Sequence, residues 1–174
     1  MANPFELRGK RLLVVGLART GVTTAQFCAA RGARVTATDA RSESEIGEAT
    51  KSLRAAGVNL EFGGHIEKTF LEQDLIIPSP GVPADAPLLQ AARAKGVTIW
   101  SEIELADRFL KGRMIGITGS NGKTTTTSLI AHILKSAGVP TILAGNIGTP
   151  LISQVEQTND QTITVVELAV SNSS

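Results

Sequence analysis

The stretch "MIGITGSNGKTTTTSLIAHIL", Met114 to Leu134, gathers the residue types best suited to chemistry. An apolar run leads into glycines, a lysine and threonines, and a helical pattern follows. Gly119, Ser120, Asn121 and Gly122 can turn their amides toward phosphate oxygens and form an anion nest. Lys123 supplies a point charge for β- and γ-phosphates, and the Thr124 hydroxyl suits Mg²⁺. Thr125 can reach a phosphate from the first helical turn, while Thr126 and Thr127 are poor helix formers with only packing or solvation to do. A strict phosphate loop has glycine six residues before its lysine, and here that position is Ile117. The Gly119-x-x-Gly122-Lys123-Thr124 core still sits in the required strand–loop–helix context. The bland alternative is a glycine-rich turn with a surface lysine.

A second glycine loop, "VVGLARTGVTT", lies near the N-terminus. A dinucleotide fingerprint wants glycine at its first, third and sixth positions, here Gly16, Ala18 and Gly21. The Ala18 methyl stands where a pyrophosphate approaches the backbone. A helix N-terminus beyond Gly21 still attracts an anion. Asp39, closing the next strand, is placed to accept hydrogen bonds from a ribose or a base. This loop alone does not separate NAD from a uridine nucleotide, nor either from a plain tight turn. Glu167 is a strand-end acid, either a metal anchor or a solvated carboxylate. Cys28 reads as a small buried hydrophobe. His65 and His132 match no motif and read as structural or solvent-facing.

The elements that must position these groups alternate. "RLLVVG", "RVTATD", "VNLEFG", "DLIIPSPG", "VTIW", "MIGIT", "PTILAG" and "QTITVVEL" read as strands. "GVTTAQFCAARG", "ARSESEIGEATKSLRAAG", "APLLQAARAKG", "SEIELADRFLKG" and "GKTTTTSLIAHILKSAG" carry the helices between them, several stopped by glycine. Ser101 and Glu104 have capping-box spacing. Strand–helix alternation implies parallel sheets covered on both faces. A boundary is expected near Lys111 to Arg113. Only three strand candidates follow it, too few to bury such a sheet, so "TILAG" and "TITVVEL" are expected to keep exposed edges and faces.

Composition agrees with a folded chain. The 174 residues are 42% hydrophobic and 19% charged, enough for one ordinary domain and part of another. A net charge of +1 gives no field for nucleic acid or an anionic membrane. A single cysteine excludes an internal disulfide and suits a reducing compartment. The polar start "MANPFELRGKR" is no signal peptide, and no apolar run has the length of a membrane span. A cytoplasmic location is the expectation.

Together, "TGSNGKTTT", "GNIGTPL" and "VVEL" resemble the Mur ligases of peptidoglycan synthesis. "VVGLARTG", "SPGVP" and "SEIEL" look like the members that add D-glutamate. The resemblance implies an α/β chain: a Rossmann-like parallel sheet domain, residues 1–112, binding a UDP-substrate, then the incomplete start of a phosphate-loop ATPase domain, residues 113–174. It implies ATP and Mg²⁺ as cofactors, UDP-N-acetylmuramoyl-L-alanine and D-glutamate as substrates, and a monomer without nucleic-acid or membrane partners. By motif match, Arg19, Thr20, Asp39, Arg41, Ser79, Gly81 and Asn146 fall to the UDP-substrate. Gly119 to Thr125 fall to ATP, Thr124 and Glu167 to the metal, and Lys123 and Glu167 to catalysis. Another Mur ligase, a folylpolyglutamate synthase-like ligase, an NAD-binding protein fused to a small ATPase, and a non-catalytic nucleotide-binding protein are the alternatives.

The family's later metal-binding histidine, carbamylated lysine and amino-acid-binding domain would lie beyond residue 174, so the polypeptide alone is expected to be inert. After "VVEL" such ligases continue Ser-Ser-Phe-Gln-Leu-Glu, whereas this chain reads "AVSNSS". One nucleotide inserted after the Leu168 codon interconverts the two strings, so a reading-frame shift and a frayed tail are expected.

Overall fold

The structure is a computed structural model and describes residues 5–145 and 149–168. Asn146 and the "AVSNSS" tail lie outside the described residues. The chain divides into two compact units between Glu102 and Ile103. This division comes earlier than the boundary expected near residues 111–113.

The first unit alternates β1 (Arg11–Val15), α1 (Arg19–Ala30), β2 (Arg34–Asp39), α2 (Glu43–Ile46), α3 (Ala49–Ala55), β3 (Asn59–Phe62), α4 (Glu67–Leu71), β4 (Leu75–Pro78), α5 (Pro87–Ala94) and β5 (Thr98–Ile99). Its parallel sheet runs β3-β2-β1-β4-β5. The central strand β1 has apolar residues on both faces, as a doubly covered sheet requires, and Leu12, Leu13 and Val14 are fully buried. Leu13, Val15, Phe70, Ile76, Leu89 and Ala92 form a core cluster on one face. The chain reverses its order across the sheet between β1 and β4. Ligands of open α/β sheets bind at that switch point, beyond the carboxyl ends of the strands.

The polar stretch expected to hold one helix holds two. Gly47, at φ +70°, ends α2 before α3 begins. Ser42 caps α2, its amide donating to Glu45 Oε2 at 2.8 Å. α4 was not anticipated; its five residues are too few for a readable helical period.

The second unit takes up α6 (Glu102–Asp107) at its start and continues with β6 (Arg113–Ile117), α7 (Lys123–Ser136), β7 (Thr141–Gly145), a 3₁₀ helix (Leu151–Gln157) and β8 (Ile163–Glu167). Its parallel sheet runs β6-β8-β7. "TILAG", as β7, is an edge strand as expected, whereas the expectation of exposure for "TITVVEL" is corrected. The last strand is inserted at the centre, where Val165 and Val166 are fully buried. The other edge is β6, with Met114 39% and Ile115 36% exposed. On α7, Leu129 and Ile133 are each 56% exposed. Among the described residues no helix is long and apolar enough to cross a membrane.

Candidate functional site

In the first unit, the turn after β1 is built by close approach. Gly16 has φ +89°, which favours glycine. A Cβ on Gly21 would fall on the Gly16 carbonyl oxygen and 2.7 Å from Ser79 Oγ. The Ser79 hydroxyl donates to that same carbonyl at 2.7 Å, and its amide donates to Val15 O at 2.8 Å. Ser79 therefore ties the end of β4 to the β1 turn and is itself buried. Gly81 lies beyond it, with open space where a Cβ would point. Ala18 occupies the N-cap position of α1, so its methyl stands at the mouth of the turn. Arg19 is exposed on the first turn of α1, and Thr20 is half-buried beside it.

Asp39 is more committed than the sequence suggested. One carboxylate oxygen, Oδ2, accepts from the Leu17 amide at 2.6 Å and from Arg41 Nη2 at 2.9 Å. Oδ1 accepts from the Arg41 amide at 2.9 Å and Arg41 Nε at 3.0 Å. The side chain is buried, and these bonds, Arg41's above all, outweigh burial and hold its pKa at about 2. Asp39 thus fastens the glycine turn and aims Arg41. The half-exposed guanidinium is the group left to meet a ligand.

In the second unit, β6 runs into Gly119, at φ +144°, and Gly122, at φ +75°, which sits at the N-cap position of α7. The Lys123 ammonium donates back to Gly119 O at 2.6 Å, closing the loop on itself. The Thr124 hydroxyl donates to Glu167 Oε2 at 2.9 Å. Register places Ile117 beside Glu167, so the loop and the acid share one end of the sheet. Thr125 is exposed on the same first turn. Buried Thr127 turns inward, its hydroxyl bonded to Lys123 O at 2.6 Å.

The predicted residues fall into two groups. Asp39, Arg41, Ser79, Gly81, Arg19 and Thr20 share the carboxyl end of the first sheet. Gly119 to Thr125 and Glu167 share that of the second. Cys28 is fully buried, and desolvation pushes its thiol up to about 12, which suits packing rather than nucleophilic chemistry. His65, read from the sequence as structural or solvent-facing, is exposed. Its ring nitrogen Nδ1 lies 2.9 Å from Thr38 Oγ1, one residue before Asp39. The only sequence signal for it was the glycine pair that precedes it.

Two parallel sheets, each ending in a glycine turn with charged side chains around it, define a Rossmann-like unit followed by a phosphate-loop unit. Residues 10–101 match the family described as Mur ligase MurD-like, N-terminal domain, and residues 117–173 match the Mur ligase middle domain. The chain belongs to the Mur ligase family. It is 50% identical over 165 residues to a UDP-N-acetylmuramoylalanine–D-glutamate ligase of Koribacter versatilis, and 52% identical to one of Geotalea daltonii. Each match covers 95% of this chain and 36% of the relative, so the chain spans about a third of their length. Two solved structures share the fold. A pseudomurein peptide ligase type C from Methanothermus fervidus has TM-score 0.53 and 24% identity, over 92% of this chain and 33% of that one. A murein peptide ligase from Psychrobacter arcticus has TM-score 0.52 and 20% identity, over 92% and 38%.

Proposed function

We propose that this chain carries the two nucleotide sites of an ATP-dependent ligase that adds D-glutamate to UDP-N-acetylmuramoyl-L-alanine. Residues 1–112 take the UDP-substrate, and residues 113–174 open the ATP-binding domain. The observation that carries the reading is the cluster of Lys123, Thr124 and Glu167 at the end of the second sheet. Identity to named D-glutamate ligases supports the choice of substrates.

The division of labour follows from the groups present. Backbone amides from Gly119 to Gly122 cradle phosphate oxygens, and Thr125 adds a hydroxyl. The Lys123 ammonium leaves the Gly119 carbonyl and turns to the transferring phosphoryl group, whose charge it offsets. Thr124 Oγ1 and the buried Glu167 carboxylate are two adjacent hard oxygen donors. They fit Mg²⁺, which keeps much of its shell as water and phosphate oxygen. When bound, the ion supplies further neutralisation of phosphate charge. In the first unit, Arg41 meets the uridine, the α1 N-terminus with Arg19 and Thr20 meets the phosphates, and Ser79 and Gly81 line the turn. Asn146 belongs to the same reading as a neighbour of the substrate's phosphates. The reaction is carboxylate phosphorylation by ATP, then attack of the D-glutamate amine on the acyl phosphate, releasing phosphate. A cytoplasmic monomer is part of the proposal.

Calorimetry on the full chain tests this. UDP-N-acetylmuramoyl-L-alanine is expected to bind more tightly than UDP, and NADH not at all. Binding of NADH in preference to the uridine nucleotides would reject the reading.

A further inference from the structure

His65 has a place at the first site that its sequence context did not announce. β2 and β3 end level with each other, since Asp39 pairs with Phe62. The chain then turns through Gly63, at φ +74°, and Gly64, at φ +147°. A Cβ on either glycine would meet nothing within 4 Å, so the space above this turn is open. The Gly63 amide donates to Arg41 O at 3.1 Å, which binds the turn to the Asp39–Arg41 segment.

The imidazole is held from the inside only. Its edge meets buried Phe70, ring centroids 5.8 Å apart at 71°. Thr38 Oγ1 lies 2.9 Å from Nδ1 and 3.3 Å from Gly64 O. A hydroxyl has one hydrogen to give. Gly64 O can only accept, so the hydrogen goes there, Nδ1–H donates to Thr38 Oγ1, and Nε2 is left as the ring's acceptor. His65 remains exposed, and no described residue partners Nε2. A fixed ring with one outward acceptor thus follows the glycine turn that is tied to the Asp39–Arg41 segment.

We propose that His65 Nε2 contacts the ribonucleoside end of the bound nucleoside diphosphate, accepting from a ribose hydroxyl or a base N–H. This rests on the reading of the first site as a uridine diphosphate site. Position chooses the nucleoside over the phosphates. Phosphates belong at the glycine turn after β1, and β3 lies two strands away, about 10 Å across the sheet. That separation matches the reach of a nucleoside.

The test uses the full chain, UDP as probe, and the fact that it has two histidines, His65 and His132. His132 sits on α7 of the other unit and serves as control. In a proton NMR titration with UDP, the His65 ring signal is expected to move and the His132 signal to stay. His65→Asn keeps an amide donor for Thr38 Oγ1 but loses the Nε2 acceptor. It is expected to weaken UDP binding about tenfold, the loss of one good hydrogen bond. His65→Gln, which returns an amide oxygen acceptor near the Nε2 position, is expected to recover most of that. An unmoved His65 signal at UDP saturation, or wild-type affinity in His65→Asn, overturns the inference and leaves the uridine site standing. If a variant does not fold, the wild-type titration decides alone. If the wild type binds no UDP, both readings fall.

Discussion

The Thr124 hydroxyl and the Glu167 carboxylate, 43 residues apart in sequence, meet at 2.9 Å. The contact forms because β8 is inserted beside β6, so a strand-end acid arrives next to the first turn of α7. Both atoms are hard oxygen ligands. Thr124→Val and Glu167→Gln are each expected to weaken MgATP binding about tenfold, while Thr124→Ser keeps near-normal affinity. The same titrations in EDTA are expected to show little difference between variants and wild type. An equal loss with and without Mg²⁺ would mean that the contact is only structural.

Gly21 is expected to tolerate no side chain. Its Cβ would press on backbone at Gly16, and backbone does not swing aside. Gly21→Ala is expected to destabilise the first unit by about 3 kcal/mol in urea unfolding. Ser79→Ala is expected to cost about 1 kcal/mol, the loss of the bond to Gly16 O. Gly81→Ala, facing open space, is expected to be nearly neutral.

Asp39 links the first unit's stability to pH. Its folded pKa, about 2, lies below the ordinary value of 3.8. A depressed carboxylate stabilises the fold above its unfolded pKa, and that contribution disappears as pH falls from about 4 toward 2. Because Arg41 is half-exposed, solvent screening brings the contribution down to about 1–2 kcal/mol. Asp39→Asn is expected to lower stability by that much at pH 7 and to flatten the acid limb of the stability curve. An unchanged acid limb would refute the assignment.

The open face of the second unit makes it the weaker half. Met114, Ile115, Leu129 and Ile133 expose apolar surface that a finished parallel sheet buries. Limited trypsin digestion is expected to cut after Lys111 and beyond while a core ending at Lys111 persists. Equal protection of both halves would contradict this.

Strand and helix identities were legible because buried parallel strands are written as unbroken apolar runs closed by glycine, as in "RLLVVG" and "DLIIPSPG". The Lys123 loop was legible because phosphate binding needs particular residue types at fixed spacing. Strand order was not, since pairing of β8 between β6 and β7 is settled by packing across distant segments. That is why exposure is expected from sequence on β8, which is central, as well as on the edge strand β7. The engagement of Asp39 was also hidden. Its partners Leu17 and Arg41 lie on two different loops, and no spacing rule connects them. The His65–Thr38 contact is hidden for the same reason, Thr38 being a residue of the neighbouring strand.

The central claim is that the chain holds two separate nucleotide sites, one per unit. Lys123→Ala, titrated by calorimetry with UDP and with MgATP, tests it most directly. The account predicts that MgATP binding falls at least tenfold while UDP binding is unchanged. Loss of both ligands together, or MgATP binding that survives without the Lys123 ammonium, would contradict it.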